Sequence, residues 1–286
     1  MRPKRGPVMK KSTPDRTARE ALVDRLEPAV NRLADAIMTA WPRRVPAAPL
    51  LRECRLISHR GVYDNRRVWE NTPAAFDAAV TGGIWGIECD VRWSRDRRAM
   101  VFHDADFMRL AGAAVRVADL TAAQIRERWP QVPLLSEIVA RYGRRVHLMV
   151  ELKAGAFDDA EELGRRLAAD FTGLDPGRDY HLLSLSHRTL AAIGHAHRTA
   201  CVPIARERVA AVSRLAAAWP YAGLCGHTLL VTTRVMQRHH RIGQRVGTGF
   251  SNSRNALYRE INRGVDWIFT DRALAMAAIC RGSSAG

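Results

Sequence analysis

The sequence predicts an α/β chain of the (β/α)8 TIM-barrel class, carrying an N-terminal helical extension and a short hairpin after strand 2. Three observations predict it. Past residue 50, eight short β-type runs alternate with Ala/Arg-rich stretches long enough to be helices, and about 230 residues are available to hold the units. A doubly wound open sheet is the structural alternative, but no GxGxxG follows the first strand to support its nucleotide-binding form.

In chain order, residues 1–15 are basic and Pro-containing and read as a tail. From about 16 to 41, Leu22, Leu26, Val30, Leu33, Ile37 and Trp41 recur at the spacing of one helical face, with Pro28 placed to kink or divide it. The stripe is expected to pack on the barrel or close its bottom, as most such stripes are core. A membrane-surface or partner helix is the sharper reading, favoured by the basic tail and weakened by acidic residues on the polar face. WPRRVPAAP ends this unit, so residues 1–50 form an extension and 51–286 the barrel. Strands are expected near 54–59, 86–92, 146–152, 181–186, 201–206, 223–227, 245–250 and 266–270. A further run, AMVFHD at 99–104, follows the second strand too closely for a crossover and reads as a hairpin.

Composition narrows the function. The chain has 286 residues, 47% hydrophobic and 26% charged, which fits a globular protein with a substantial core. Its formal charge of +16 comes from 45 basic against 29 acidic side chains. Only Arg2, Lys4, Arg5, Lys10 and Lys11 form an uncompensated run; the remaining excess is spread, and past residue 11 the one lysine is Lys153. No recognisable nucleic-acid module accompanies the charge, so a non-catalytic basic binding protein is the weaker reading. No window approaches the ~20 apolar residues of a membrane span. The five cysteines are scattered without CxxC spacing, and a reducing cytoplasm is the expected compartment.

The chemistry-bearing residues fall at strand ends. His59-Arg60-Gly61 closes the first strand, and Glu70-Asn71-Thr72-Pro73 opens a helix that Thr72 can cap. Glu88 and Asp90, two apart on the second strand, face the same way. Side-by-side carboxylates repel unless a cation lies between them, and their hard oxygens suit Mg²⁺ or Ca²⁺. His103-Asp104 ends the hairpin, and Glu151-Leu152-Lys153 ends the next strand with its i and i+2 residues on one side. Each is weak alone, but a barrel would gather them at one rim. Cys89 should point away from the carboxylates into the core, and His239-His240 reads as a solvated helix face rather than a metal pair.

HRG, ENTPAAF, GIECDV, VFHD and ELK occur in the order and context of the glycerophosphodiester phosphodiesterase family, a (β/α)8-barrel group. The resemblance runs from about residue 55 to 272 and includes VPLLSEIVARYG and RGVDWIFTD. It implies that Glu88, Asp90 and Glu151 bind one divalent cation, Mg²⁺ or Ca²⁺, that His59 and His103 are the catalytic histidines, and that Arg60 and Lys153 contact the phosphate. The residue types suit those roles. A metal and fixed cations offset phosphodiester charge, and two histidines can move protons near neutral pH. The implied reaction is attack by the substrate's own glycerol hydroxyl, giving a cyclic phosphate that water then opens.

Two departures bear on the substrate. Trp69 stands where the family has Pro, and Thr248-Gly249-Phe250-Ser251-Asn252 replaces a Trp-Thr-x-Asn motif whose indole lies against the alcohol. There is also little room between His103 and Glu151 for the extra subdomain of some members, which would leave a more open site. The expected substrate is a glycerophosphodiester. The alternative is a lysophospholipid cleaved in the manner of a lysophospholipase D, with residues 1–45 in peripheral contact with the inner face of the membrane.

Overall fold

Apolar runs bounded by polar turns become the staves of a closed cylinder in the computed structural model, which describes residues 33, 35–155, 160–193 and 195–282. The strands are β1 (Leu56–His59), β2 (Gly86–Trp93), β3 (Ala99–Val101), β4 (Asp106–Phe107), β5 (Ala113–Arg116), β6 (His147–Leu152), β7 (Tyr180–Ser184), β8 (Cys201–Ala205), β9 (Gly223–His227), β10 (Arg245–Gly249) and β11 (Trp267–Thr270). Parallel pairing runs from β1 through β2, β6, β7, β8, β9 and β10 to β11, and β11 pairs back onto β1. Eight parallel strands thus close on themselves with no free edge, and all their carboxyl ends lie at one mouth. β3 adds to β2 antiparallel, with Val91 opposite Val101, which is the expected hairpin.

The helices are α1 (residues 35–40), α2 (Ala48–Arg52), α3 (Pro73–Thr81), α4 (Met108–Ala111), α5 (Ala122–Arg128), α6 (Leu135–Tyr142), α7 (Ala160–Asp170), α8 (His187–Ala192), α9 (Val209–Ala218), α10 (Thr233–Arg241), α11 (Arg254–Arg263) and α12 (Ala273–Cys280). Strand alternation sorts the core into two layers. Ile57, Met149, Leu183, Val202, Cys225, Trp267 and Phe269 fill the barrel interior. Ile87, Cys89, Val91, Leu148, Val150 and Leu152 instead join Phe76, Ile138 and Tyr142 between strands and helices, so Cys89 is core as expected. Thr72 caps α3 by accepting the Ala75 N–H, with Pro73 in the first turn.

Three expectations change. Of the N-terminal stripe, Leu22, Leu26 and Val30 lie outside the described residues. The rest does not pack on the barrel: Leu33, Ile37 and Trp41 are 64%, 51% and 65% exposed, while Met38 is buried. The reason is polar. Asn252 donates to Asp35 Oδ2 at 3.1 Å, Asn255 to the Thr39 carbonyl at 2.8 Å and Asn262 to the Arg44 carbonyl at 2.7 Å, which turns the apolar face outward.

Between β3 and α6, where the sequence leaves little room, a small excursion pairs β4 with β5 and adds α4 and α5. Its own core of Met100, Phe102, Phe107, Val117, Ile125 and Val132 is closed by Trp129 stacked on Phe107 at 3.8 Å. Nor is His239 on a solvated face. It is fully buried between the Ser213 hydroxyl at 2.9 Å and Gln244 Oε1 at 2.7 Å, while His240 pairs with Asp266 at 2.8 Å. The two imidazoles point apart, as adjacent helical residues must.

Candidate active site

The mouth of the barrel opens on β2. Because Cys89 points outward, Glu88 and Asp90 point inward, and Glu151 arrives beside them from β6, paired in register with Asp90. Oxygens from Glu88, Asp90 and Glu151 lie within 4.8 Å of one another. Burial, then the Asp90 charge, push the Glu88 carboxyl up to about 8, with Glu151 adding to the effect. Burial also works against an ionised Asp90, but the charges of Lys153, Arg60 and the two histidines hold its carboxyl well below the usual range.

Asp90 is the hub. Asn71 donates to its Oδ2 at 2.9 Å and accepts its backbone N–H at 3.1 Å, and Arg60 Nε approaches the same oxygen at 3.1 Å. Lys153 Nζ lies 2.6 Å from Asp90 Oδ1 and 2.6 Å from Glu151 Oε1. Lys153 thus forms a close ion pair with both carboxylates. Three converging carboxylates, offering oxygen donors only, fit a hard divalent cation of the Mg²⁺ or Ca²⁺ kind.

The histidines flank this centre. His59 Nδ1 meets Asp271 Oδ1 at 2.7 Å, leaving Nε2 toward Glu88 at 3.9 Å, and Phe250 packs edge-on against the ring at 4.9 Å between centroids. Burial and the Arg60 charge lower its pKa, but the Asp271 hydrogen bond and the Glu88 charge outweigh them and leave it raised. His103 Nδ1 meets Asp104 Oδ1 at 2.7 Å, and Asp104 Oδ2 accepts from Arg109 Nε at 2.6 Å. Burial dominates there, so the His103 pKa is lowered although Asp90 opposes the shift.

The loop from β1 to α3 is bent to serve the site. Arg60 (φ 59°) and Asn71 (φ 61°) both adopt left-handed backbone, rare for non-glycine residues, and the Asn71 N–H donates to the Arg60 carbonyl at 2.9 Å. Gly61 (φ 87°) has no substitute, because a Cβ there would lie 2.7 Å from the Ala75 Cβ. Glu70 accepts from Arg60 Nη1 at 3.0 Å and from Arg109 at 2.5 and 3.1 Å, tying this loop to the excursion.

All seven residues singled out in the sequence (His59, Arg60, Glu88, Asp90, His103, Glu151 and Lys153) therefore meet at one mouth. Sequence reasoning missed Asp271, Asp104 and Arg109, and gave Glu70 and Asn71 no role. Asp104 and Asp271 did lie within quoted motifs, and that was their signal. Arg109 had none among so many arginines.

Fold and rim together define a (β/α)8 barrel whose polar chemistry is concentrated at the carboxyl ends of β1, β2 and β6. The chain belongs to the glycerophosphoryl diester phosphodiesterase family, whose profile matches residues 59–275. A glycerophosphodiester phosphodiesterase of Caldanaerobacter subterraneus is 32% identical over 112 residues, 35% of this chain and 45% of that one. A lysophospholipase D of Rattus norvegicus is 41% identical over 71 residues, 25% of this chain and 22% of its own. The chain thus spans less than half the length of the curated relatives it matches. Among solved structures, a Thermotoga maritima glycerophosphodiester phosphodiesterase superposes with a TM-score of 0.66 at 20% identity, covering 79% of this chain and 98% of that one. An Oleispira antarctica phosphodiesterase, solved with the product sn-glycerol-3-phosphate, gives 0.64 at 21% identity, covering 80% and 97%. At such identities these two structures bear on the fold.

Proposed function

We propose that this chain is a divalent-cation-dependent phosphoric diester hydrolase that cleaves glycerophosphodiesters to glycerol phosphate and an alcohol. The observation that carries the reading is the convergence of Glu88, Asp90 and Glu151 within 4.8 Å, set against the cations of Arg60 and Lys153. Glu88, Asp90 and Glu151 would hold Mg²⁺ or Ca²⁺, which when bound offsets charge growing on the phosphoryl oxygens. Arg60 offers a planar fork to phosphate oxygens and Lys153 a compact point charge.

His59 and His103 have Nδ1 engaged by carboxylates, so each presents Nε2 to the mouth. One can take the proton of the attacking glycerol hydroxyl while the other gives a proton to the leaving alcohol, and the roles reverse when water opens the cyclic phosphate. The Oleispira relative's product, sn-glycerol-3-phosphate, supports the same substrate class.

A lysophospholipid substrate is the second reading, favoured by the stretch shared with the rat lysophospholipase D. One experiment addresses both. Glycerophosphocholine, glycerophosphoethanolamine, glycerophosphoglycerol and their lyso-lipid counterparts are assayed with Mg²⁺, with Ca²⁺ and with EDTA, alongside Glu88→Ala. We expect turnover of the glycerol diesters, reversible loss in EDTA and loss in Glu88→Ala. Undiminished turnover in EDTA would remove the cation, and turnover of lyso-lipids alone would move the substrate to the second reading.

A further inference from the structure

Leu33, α1 and Trp41 present an apolar face to solvent beside the barrel mouth. Leu33, Ile37 and Trp41 lie four residues apart, the repeat of one helical face, and all three are exposed. In sequence the same spacing continues upstream through Val30, Leu26 and Leu22 to the run holding Arg2, Lys4, Arg5, Lys10 and Lys11. The helix is seated through Met38, which is buried, and through polar contacts, with Asp35 bonded to Asn252 in the loop after β10. That loop also carries Phe250 against His59, so the exposed face begins close to the reacting centre. Leu229 and Leu230 are exposed in the loop after β9, which α11 holds on either side of them: Arg259 and Arg263 donate to the carbonyls of Thr228 and Val231.

Arginines flank this face, while the acidic Asp35 of α1 is engaged by Asn252. Arg43 and Arg44 follow α1 and Arg254 begins α11; all three are exposed and form no ion pair among the described residues. Arg254 stands at the positive end of its helix dipole, where a cation adds nothing to the fold. Exposed leucine and isoleucine, a tryptophan and unpaired arginines form the combination that a negatively charged bilayer accommodates. The apolar groups enter the acyl boundary, the indole lies at head-group level and the guanidinium groups meet phosphates.

We propose that the α1–α11 flank docks on an anionic phospholipid surface and so holds the barrel mouth where membrane-derived phosphodiesters are released. Docking of this face does not depend on the reaction assigned above. Binding is read without turnover, so either can fail while the other stands.

The test is co-sedimentation of the full chain with vesicles of mixed phosphatidylglycerol and phosphatidylcholine, and with phosphatidylcholine alone. The parent is expected to sediment with the anionic vesicles, less so as salt rises, and weakly with phosphatidylcholine. The triple variant Leu33→Glu, Ile37→Glu, Trp41→Glu is expected to bind roughly tenfold more weakly. Arg43→Glu with Arg44→Glu, which leaves the stripe intact, should also weaken binding. Both variants should keep the parent's circular dichroism and its turnover of soluble glycerophosphocholine. Failure of the parent to sediment, or equal sedimentation of the triple variant, would overturn the proposal. A parent dimer in light scattering that becomes monomeric in the triple variant would also overturn it, because the face would then belong to a second copy.

Discussion

His59 and His103 are each tied through Nδ1 to a carboxylate, Asp271 and Asp104, both at 2.7 Å. Such a tether fixes the tautomer and the ring plane, leaving Nε2 as the atom that would move a proton in the proposed reaction. Asp271 also accepts from Asn252 Nδ2 at 2.9 Å, so it is itself held in place. Asp271→Asn keeps the shape but loses the charge and lets the amide present either end to the ring. We expect kcat to fall roughly 10²-fold, the scale of a mispositioned acid or base, with KM little changed. Parental kcat would remove Asp271 from the machinery, and a rise in KM alone would place it in substrate binding. Asp271 also shows where sequence reading stops. It is separated from His59 by 212 positions, and only closure of the barrel makes them neighbours. By contrast, Glu88 with Asp90 and Glu151 with Lys153 are legible because strand alternation is local. Arg109 was illegible, since its value lies wholly in reaching Glu70 and Asp104 from a helix of the excursion.

Among the elements, α11 links distant parts of the fold: its Asn255 and Asn262 hold α1 and the segment after it, and its Glu260 bonds to Thr248 of β10. Its central residue, Glu260, is fully buried and accepts from Thr248 Oγ1 at 2.9 Å, Arg259 Nη1 at 2.5 Å and Arg263 Nη1 at 3.2 Å. Removing one charge from a buried network leaves the others uncompensated. Glu260→Gln should therefore lower unfolding stability by ~3 kcal/mol, read from urea melts. A change within about 0.5 kcal/mol, the range of ordinary surface substitutions, would mean that water already screens the arginines. The barrel strands themselves were legible to within a residue or two, because turn residues and apolar runs bound them. The excursion was not. β4 is a two-residue strand and α4 a single turn, too short for either periodicity, and both are held by the aromatic contacts of Phe107 and Trp129. The outward stripe of α1 was misread for a related reason. A helical face is apolar by sequence, but which face meets the barrel was decided by the asparagines of α11 and its preceding loop, more than 200 residues away.

At the scale of the molecule, the two ends of the barrel do different work, with chemistry at the carboxyl ends of the strands and closure at the amino ends. At the closed end His147 and His181 share a 2.7 Å hydrogen bond. Trp85 stacks on His147 and Trp267 meets His181 edge-on, both at 4.6 Å, and Arg55 and Arg245 lie over the two indoles. His147 Nδ1 faces the Arg178 carbonyl at 3.0 Å, so it must carry the proton, and Nε2 must accept from His181 Nδ1. That chain requires a neutral His147, and a charged His181 would sit buried beside it and two arginines. Burial, reinforced by Arg245 and Arg55, pushes His147 down to about 4, and burial with the neighbouring ring and the same arginines pushes His181 down to about 2. The sign follows from linkage. Above the ordinary histidine value near 6.5, neither state takes up a proton and stability is flat. As pH falls below it, the unfolded chain binds two protons that the folded one refuses, so stability declines until the folded values are reached. The slope attributable to the pair approaches ~2.7 kcal/mol per pH unit between pH 6 and 5, and His181→Phe should remove about half of it. Urea melts at a series of pH values measure this, and an unchanged slope in the variant would mean that the pair already charges in the folded barrel. The overall charge of +16 acts in the same direction, since protons added at acid pH meet a molecule that is already strongly positive.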